Sequence, residues 1–583
     1  MNDLIDPATP APADGLECDR LLNTWLRECF PGQISSMMRQ PVSDGQPILE
    51  LPLGAMCLRA TWRRVSPSGF HGFDSITIED AAGERRAVTN PTRLAEILLG
   101  QCDTGTSAAR TLVRERIEAS IEASRGHAAF LSEHPPASTA EAMEQSLWLG
   151  HPFHPLAKSL GGFGPGDVET FSPERRVRFR LSWLLAEPEA VDLLSGASDA
   201  FASARERLQA ASGLPPHLLS GRALLPCHPW QAERLRRRPD LERAFESRSL
   251  ILTGPSGDAA LPTSSVRTVW FRDKGLFVKL ALEARITNFS RVNTYEQIAR
   301  SVASTAALLR VAHKVAEAGL SILAEPGGGI LRRQGPDGPA HHPETGFLLR
   351  DAAFGEGPEP FVVAGLLEPD PRSGQANLAT VSADLGRGVL EAGPWIASYT
   401  DVVLLPLLRL FETTGIALEA HAQNSLVAFR NGRPSRLFVR DLEGAAVERE
   451  TFEAACGRPG DGSLSSALFY ERDVVWRRFL YYVVVNHFAH AVSTVSRLSG
   501  VAESELWTIT RQRLEPVASR GTAARALLAT PRLPAKANLF SCLADRGEQP
   551  DFVMIPNPLA AEQTPQGPPD EIETPDIVAR IMA

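Results

Sequence analysis

Two short turns constrain the fold of this 583-residue chain more than any other feature, because each joins two runs of strand-forming residues. The run "SSVRTVWF" leads into Asp273-Lys274-Gly275 and then "LFVKLAL", and the run "NSLVAF" leads into Asn431-Gly432 and a segment ending in "RLFVRD". Turns of this composition between β-branched and aromatic runs are typical of β-hairpins. The sequence therefore predicts antiparallel sheet in both the middle and the C-terminal part of the chain.

Helical patterns flank these hairpins. The segments "ARTLVRERIEASIEAS", "WIASYTDVVLLPLLRLFETTG" and "VVWRRFLYYVVVNHFAHAVSTVSRL" carry apolar residues at helical spacing. Thr294 and Gln297 have the spacing of a capping box at the start of another helix. The pattern predicts a mixed α/β fold with both antiparallel sheets and helical bundles.

A chain of 583 residues is too long for one core, so we expect several units. Three domains are predicted, comprising a supporting N-terminal domain (1–145), a middle domain (146–345) and a C-terminal domain (346–583). A loop rich in Gly and Pro, 334–345, is the predicted boundary between the last two. The run "PGGGI", 326–330, lacks the Lys-Ser/Thr of a phosphate loop and is interpreted as a hairpin turn.

Composition excludes several classes of partner. The net charge of −9 and the pI near 5.9 give no electrostatic reason to expect nucleic acid or an anionic membrane. The first residues lack the basic and apolar regions of a secretory signal, and we expect no membrane span because the apolar stretches are shorter than about 20 residues. Seven scattered cysteines without a CxxC motif indicate reduced thiols, so a cytoplasmic protein is expected.

The first hairpin carries a candidate phosphate site. If its loop has three residues, Arg267 lies opposite Lys279, with Ser265 on the same face. Like charges opposed on a sheet repel, and a bound phosphate between them relieves that repulsion. The alternative is a solvated face on which each cation pairs with a surface carboxylate, and a register slip of one residue would separate the pair.

Two neighbouring segments add polar groups. In "ITNFSR", Thr287, Asn288 and Arg291 lie between a strand end and a helix start, where they can converge on a carboxylate or phosphate. In "GHPFHPLAK", each histidine precedes a proline, which holds the stretch as a rigid turn with Lys158 after it. A metal-binding histidine pair and a single His154 that donates to an anion are both compatible with this turn.

The stretch "LEAHAQNSLV" crowds polar groups behind an apolar helix. The second hairpin returns Asp441 to residues 422–425, close to Glu419, His421 and Asn424. Carboxylates and an amide at strand ends form an oxygen-rich site suited to magnesium. A capped helix end with a hydrogen-bonded turn is the alternative, and it explains Asn424 and Gln423 better than the other three.

With these residues described, the chain resembles the IucA/IucC family of siderophore synthetases, which work independently of nonribosomal peptide synthetases. The matching motifs are "GHPFHPLAK", "LPCHPWQ", "SVRT", "VKLALEARITNFSR", "GIALEAHAQN", "VRDLEG" and "LPAKANL", spread over most of the chain. The resemblance implies a cupped thumb, fingers and palm architecture that is commonly dimeric. It also implies an ATP- and magnesium-dependent ligase that adenylates citrate or a related acid. An amine, hydroxylamine or alcohol then displaces AMP.

The resemblance implies roles for individual residues, carried over motif by motif. The nucleotide and phosphate contacts are His154, Lys158, Ser265, Arg267, Thr268, Lys279 and Gln423. The acid-binding group is Thr287, Asn288, Arg291 and His421, and His421, Arg291 and Lys279 are the catalytic candidates. The magnesium ligands are Glu419, Asp441 and Asn424.

Two positions depart from the family pattern. Leu160 stands where a basic residue usually follows the "HPxHPxxK" lysine, and Cys542 stands where a basic residue is expected near Lys536. Two other functions stay open from the residues. A small-molecule kinase is compatible with the strand lysine and Asp441, although the catalytic-loop aspartate is missing. A non-catalytic homologue that binds acid or nucleotide has only Leu160 in its support.

Overall fold

A computed structural model describes residues 12–34, 38–39, 47–102, 104–286, 289–335, 338–385, 391–457, 466–546 and 550–560. The N-terminal part packs helices on a five-stranded antiparallel sheet whose strands follow chain order. The strands are Met38–Arg39, Ile48–Leu53, Met56–Arg64, Gly72–Glu79 and Arg85–Ala87. The helices are Pro12–Cys29, Pro91–Gly100, Ser107–Glu133 and Ala140–Glu144.

The middle of the chain is built on a seven-stranded antiparallel sheet, called here the central sheet. In spatial order its strands are Phe179–Arg180, Ala259–Pro262, Thr268–Phe271, Leu276–Lys279, Gly338–Asp351, Gly327–Gly335 and Val191–Ser195. Two three-stranded sheets flank it, one of Ala223–Cys227, Ser182–Ala186 and Leu250–Leu252, the other of Phe289–Arg291, Leu282–Ile286 and Leu160–Gly161. The helices are Pro165–Phe171, Ser198–Ser212, Pro216–Leu219, Pro229–Leu235, Glu242–Glu246, Tyr295–Arg310 and Ala312–Ala318.

The C-terminal part combines small sheets with a helical bundle. One sheet contains, in spatial order, Leu320–Ile322, Arg433–Val439, Ser425–Arg430 and Phe361–Val362. A second sheet contains Ile416–Ala417, Ala446–Glu448 and Phe469–Tyr470, and a third pairs Arg532–Lys536 with Phe552–Pro556. The shorter helices are Val363–Leu367, Asn377–Asp384, Arg449–Cys456, Glu503–Ala518, Thr522–Ala529 and Asn538–Leu543. The observed mixture of helices and mainly antiparallel sheets confirms the predicted fold class.

Two long apolar helices of this bundle each contain a π-helical segment. The first runs from Ala392 to Thr414 with π geometry at Thr400–Leu404, and the second runs from Arg472 to Ser499 with π geometry at Leu480–Phe488. Ala392–Thr414 has the length and hydropathy of a membrane span, yet 67% of its most apolar window is buried inside the protein. Burial of this kind is what a core helix of a folded domain shows.

The second hairpin forms as predicted. Arg430 pairs with Arg433, so Asn431-Gly432 is a two-residue loop, and both loop residues have positive φ (52° and 71°). Those angles are what a type I′ turn requires. The capping box is also confirmed, since Thr294 accepts a hydrogen bond from the backbone of Gln297 and the Gln297 side chain accepts one from Thr294 N.

The register of the first hairpin was predicted wrongly by one residue. Phe271 pairs with Leu276, so the loop has four residues, and Thr268 rather than Arg267 lies opposite Lys279. The extra residue is accommodated because Gly275 ends a short 3-10 turn at φ 57°. The two cations are therefore not directly opposed on the sheet.

The loop prediction for 334–345 and the turn prediction for 326–330 were both wrong. The glycines lie in the strand Gly327–Gly335, and the residues from Gly338 onward form its partner strand in the central sheet. A Cβ atom at Gly327 would overlap the ring of Phe201, and one at Gly328 would overlap the backbone of Phe347. The triplet is thus explained by close packing inside a strand.

Position 345, the predicted domain boundary, consequently lies inside a central strand. The largest core cluster also crosses that boundary, because it unites Trp270 and Phe277 of the central sheet with the two long bundle helices. The division into three domains stays a prediction.

The glycine triplet provides a test of the packing. We expect Gly328→Ala to lower the free energy of unfolding by about 1–3 kcal/mol, because the added methyl group overpacks the strand. Gly166→Ala is the matched control, since a Cβ atom there meets open space within a helix and alanine favours helix. Chemical denaturation of both variants measures the difference, and an unchanged midpoint for Gly328→Ala would contradict the packing explanation.

Candidate functional site

The two predicted hairpins meet at a buried ion pair. Lys279 ends a strand of the central sheet, and its Nζ lies 2.7 Å from Asp441 Oδ1 and 3.1 Å from Glu443 Oε2. Lys279 is 3% exposed. The polar ends of the middle and C-terminal parts of the chain therefore converge on one place.

Backbone geometry holds Asp441 at this junction. Asp441 follows directly after the strand Arg433–Val439 and Arg440, and it has the left-handed conformation φ 64°, ψ 79°. Such a conformation is strained for an L-residue and persists only when its surroundings impose it. Here Arg440 is held by Glu144 and by the carbonyl of Gln423 (2.9 Å), and Leu442 N donates to Glu325 Oε2 at 3.0 Å.

A second buried ion pair supports the first. Arg350 donates from Nε and Nη2 to Glu325 Oε1 at 3.0 and 2.5 Å, and its Nη2 also lies 3.5 Å from Asp441 Oδ2. Both residues are almost fully buried, at 2% and 0% exposure. Sequence reasoning missed this pair and Glu443, because they are ordinary charged residues whose partners come from distant parts of the chain.

Arg267 is positioned by the chain that precedes the helix Tyr295–Arg310. Its Nη1 donates to Arg291 O (2.9 Å), Val292 O (3.1 Å) and Asn293 Oδ1 (2.6 Å). Asn293, another residue that sequence reasoning missed, also donates to Gly346 O at 2.9 Å and so ties this segment to the central sheet. The preceding Val266 has φ 65°, a strained value for a β-branched residue.

The loop 418–424 lies beside Asp441. The side chain of Glu419 packs on Gly444, where a Cβ atom would overlap its carboxylate, and His421 Nε2 lies 3.6 Å from Glu419 Oε1. Asn424 Nδ2 donates to Glu419 O at 3.1 Å. The amide group of Asn424 thus stabilises the turn, which is the structural role considered for it above.

The π-helical segment Leu480–Phe488 packs against this loop. His487 Nδ1 lies 2.8 Å from Ala420 O, so it carries the proton and donates, while Nε2 accepts from Tyr399 Oη at 2.5 Å. Burial lowers the pKa of His487 to about 4, which keeps the ring neutral in this tautomer. Tyr482 of the same π segment places its ring centroid 6.0 Å from that of His421.

Burial and neighbouring charges shift the titration of the site. Burial would raise the pKa of Asp441, but Lys279 and Arg350 outweigh it and hold that pKa well below its ordinary value. Burial raises the pKa of Glu419, and Asp441 adds to the shift. Burial lowers the pKa of His421 to about 4 despite the opposing effect of Asp441. His421 is therefore a neutral imidazole near pH 7.

Two further cations, Lys536 and Arg291, lie near Glu419 and His421. Lys536 Nζ lies 5.2 Å from the ring centroid of Tyr481 and 5.5 Å from that of Tyr482, and it interacts electrostatically with Glu419. Burial lowers the pKa of Arg291 to about 10, and Arg267 adds to that shift. Arg291 also acts electrostatically on His154, and His421 acts on His151.

The structure gives other predicted residues local partners. Lys158 pairs with Glu174 and donates to Leu147 O at 2.8 Å. The remaining contacts are Leu156 N to His154 Nδ1 (3.0 Å), Thr268 N to Ser265 Oγ (3.1 Å), Thr263 N to Thr268 O (2.8 Å), and Gln423 Nε2 to Ser264 Oγ (3.3 Å). The predicted Thr287 and Asn288 lie outside the described residues.

The oxygen-rich corner fits a hard divalent cation in its chemistry. Glu419 is crowded by the like charges of Asp441 and Glu443, which help to raise its pKa, and a cation relieves that repulsion. In the part of the chain that the structure describes, no three His, Cys, Asp or Glu side chains are already grouped as a metal centre. Magnesium commonly uses one or two carboxylates together with substrate phosphates, which agrees with this arrangement.

Comparison with known proteins decides the family. A model described as the IucA / IucC family matches residues 139–368, and one described as "Ferric iron reductase FhuF-like transporter" matches residues 394–551. The L-2,3-diaminopropanoate–citrate ligase of Staphylococcus aureus is 35% identical over 435 residues, covering 71% of this chain and 74% of that protein. The chain belongs to the IucA/IucC family.

Comparison with two further proteins supports membership of this family. The rhizobactin siderophore biosynthesis protein RhbC of Rhizobium meliloti is 30% identical over 484 residues, covering 76% of this chain and 79% of that protein. The structure of ATP-bound aerobactin synthetase IucA from Klebsiella pneumoniae shares the fold with a TM-score of 0.81. It is 21% identical and covers 94% of this chain and 100% of that chain.

This family member is an enzyme of the ligase class, like its siderophore-synthetase relatives. The three proteins compared give no support to the kinase alternative or to a non-catalytic homologue. The fold comparison also agrees with the predicted mixed α/β fold, whereas the division into thumb, fingers and palm stays a prediction.

The contact between His487 and the loop provides a test of the site. We expect His487→Leu to lower turnover at least tenfold, because it leaves Ala420 O and Tyr399 Oη buried without their partner. His487→Asn is the matched control, since its amide nitrogen occupies the position of Nδ1 and can donate to Ala420 O. Steady-state AMP formation and the thermal midpoint are measured for both. Equal activity of the two variants would show that this hydrogen bond does not position the loop.

Proposed function

We propose that this chain uses ATP to adenylate one carboxyl group of citrate or a related di- or tricarboxylic acid and then joins it to an amine, hydroxylamine or alcohol. The observation that carries the proposal is the buried ion pair of Lys279 with Asp441 and Glu443, with which the buried guanidinium groups of Arg267 and Arg291 also interact electrostatically. Cations held beside carboxylates in one low-dielectric place suit a polyanion together with a divalent cation. The S. aureus relative, by its name, joins an amine to citrate.

The proposed reaction has two balanced steps. A carboxylate oxygen of the acid attacks the α-phosphorus of ATP, the bond to the β-phosphate bridging oxygen breaks, and pyrophosphate leaves with that electron pair. The nucleophile then attacks the acyl carbon, the bond from that carbon to the AMP oxygen breaks, and AMP leaves. The nucleophile loses one proton to a base or to water.

We assign the phosphate contacts to Arg267 and Lys279, with His154, Lys158, Ser265, Thr268 and Gln423 proposed around them. Attack on a polyanion needs charge neutralisation and orientation more than a covalent enzyme nucleophile, and the two buried cations supply the first of these. Lys279 is kept charged for this role: burial would lower its pKa, but Asp441 and Glu443 outweigh burial and raise it.

We assign the acid substrate to Arg291 and His421, together with Thr287 and Asn288. The neutral His421 can donate one hydrogen bond to a carboxylate without adding a charge, while the Arg291 guanidinium can bind it in bidentate fashion. Lys536, close to Glu419, is an additional cation on this side.

Magnesium is proposed at Glu419, Asp441 and Asn424, since Asn424 uses its Nδ2 donor in the turn and a metal ion would bind its Oδ1 oxygen. When bound, a magnesium ion would neutralise phosphate charge and orient the triphosphate. The carboxylate of Glu419 packs on Gly444, and the carboxylate of Asp441 is held by Lys279 and Arg350. We also propose a homodimer and a cytoplasmic location.

The nucleotide product is the decisive measurement. The purified full chain is incubated with ATP, magnesium and a panel of di- and tricarboxylic acids, with and without amines. AMP and pyrophosphate that depend on the acid are the expected products. ADP would instead assign the chain to the kinase class, and absence of nucleotide turnover with every combination would overturn the proposal in favour of a binding protein.

The assignment of the acid site is tested by His421→Ala and Arg291→Ala. We expect each to lower turnover about 100-fold or more, because a group that stabilises charge in the transition state is removed. His313→Ala is the matched control at an exposed position on the helix Ala312–Ala318. Circular dichroism checks folding, and near-native turnover in either site variant would refute the assignment.

A further inference from the structure

A cavity of about 600 Å³ lies outside the reaction cluster, between the N-terminal part and the end of the helical bundle. Its volume is typical of a small-molecule site. None of the residues assigned above to phosphate, magnesium or acid lines it. Its walls combine apolar side chains, including Phe70, Leu367 and Val501, with charged ones of both signs.

Most charged groups in this cavity already have partners. Arg63 Nη2 lies 2.5 Å from Asp19 Oδ2. Arg64 donates to Ser493 Oγ at 2.8 Å and lies 3.7 Å from Glu503. These contacts engage both arginines with groups of the protein itself.

Arg497 and Glu368 are the exceptions. The Arg497 side chain is accessible to solvent, and it makes no hydrogen bond or ion pair within the described part of the chain. Glu368 is 3% exposed and accepts hydrogen bonds from Leu149 N (2.5 Å) and Gly150 N (3.1 Å), but no cation among the described residues pairs with it. The two residues interact electrostatically without forming an ion pair. A guanidinium and a carboxyl group thus line one cavity without pairing with each other.

We propose that this cavity binds a small zwitterion of the amino-acid class, with its carboxylate at Arg497 and its ammonium at Glu368. A guanidinium matches a carboxylate in bidentate geometry, and a carboxyl group matches an ammonium. Burial raises the pKa of Glu368 to about 8, so its carboxyl group is largely protonated near pH 7. An ammonium group bound beside it would lower that pKa and favour the carboxylate. The apolar side chains accommodate the methylene groups of the ligand.

The cavity lies next to the turn that carries His154, because Arg20 lines the cavity and donates to His154 O. Gly150 and Pro152 line the cavity, and His151 between them interacts electrostatically both with His490 in the cavity and with His421 in the cluster. Two sources of the ligand are consistent with this position, the amine co-substrate itself and an amino acid that regulates the enzyme. The site does not depend on the proposed reaction, whereas its assignment to the co-substrate does.

Calorimetric titration of the full chain tests the site directly. L-2,3-diaminopropanoate, L-ornithine and L-lysine are compared with 1,2-diaminoethane, putrescine and cadaverine, which lack the carboxylate. We expect at least one amino acid to bind at least tenfold more tightly than its decarboxylated counterpart. We also expect Arg497→Met to remove that preference and Glu368→Gln to weaken binding, while the surface variant Arg520→Met has no effect.

Kinetics then separates the two sources. If the ligand is the co-substrate, Arg497→Met raises KM for the amine at least tenfold and leaves acid-dependent pyrophosphate exchange unchanged. If the ligand is a regulator, KM for the amine is unchanged and the variant loses inhibition or activation by the added amino acid. Equal binding of an amino acid to the wild type and to Arg497→Met, or no binding to either, would overturn the proposal. Absence of pyrophosphate exchange in the wild type would count against the proposed function alone.

Discussion

The ion pair between Lys279 and the carboxylates of Asp441 and Glu443 is the interaction on which the rest of the structure depends. Buried charges are costly unless each is compensated, and removing one partner leaves an unpaired charge. Here Lys279 from the central sheet meets acids from the C-terminal part, and Arg350 with Glu325 adds a second compensated pair beside them. The two parts of the chain must therefore dock in one relative position.

This docking also explains the strained backbone at the site. Asp441 and Val266 both have positive φ, and Asp441 belongs to the ion-pair cluster while Val266 precedes Arg267. Strain of this kind is retained where packing and hydrogen bonds impose it, and it concentrates at functional sites. The π-helical segment Leu480–Phe488 is another irregular stretch of backbone at this site. It directs His487 towards the loop that carries Glu419 and His421.

Local chemistry made some elements predictable. Asn431-Gly432 allows positive φ at both loop positions, and Thr294 with Gln297 supplies reciprocal hydrogen bonds, so each pattern determines its own geometry. The glycine triplet was misjudged because glycine is compatible with a turn and with a crowded strand, and the deciding contacts with Phe201 and Phe347 come from elsewhere in the chain. The register at Lys279 failed for a related reason, since loop length depends on how the neighbouring strands pair.

By itself, the sequence determined which chemistry the chain contains: the mixed α/β class, the second hairpin, and the motifs that hold Lys279, Arg291, Glu419, His421 and Asp441. Only the tertiary structure decided how these groups are compensated and held. Glu325, Arg350, Glu443 and Asn293 are common residue types without a local motif, and their roles arise from contacts with residues 25 or more positions away. The placement of Arg497 and Glu368 in the wall of one cavity has the same origin, because burial and proximity are properties of the packed chain and not of its local order.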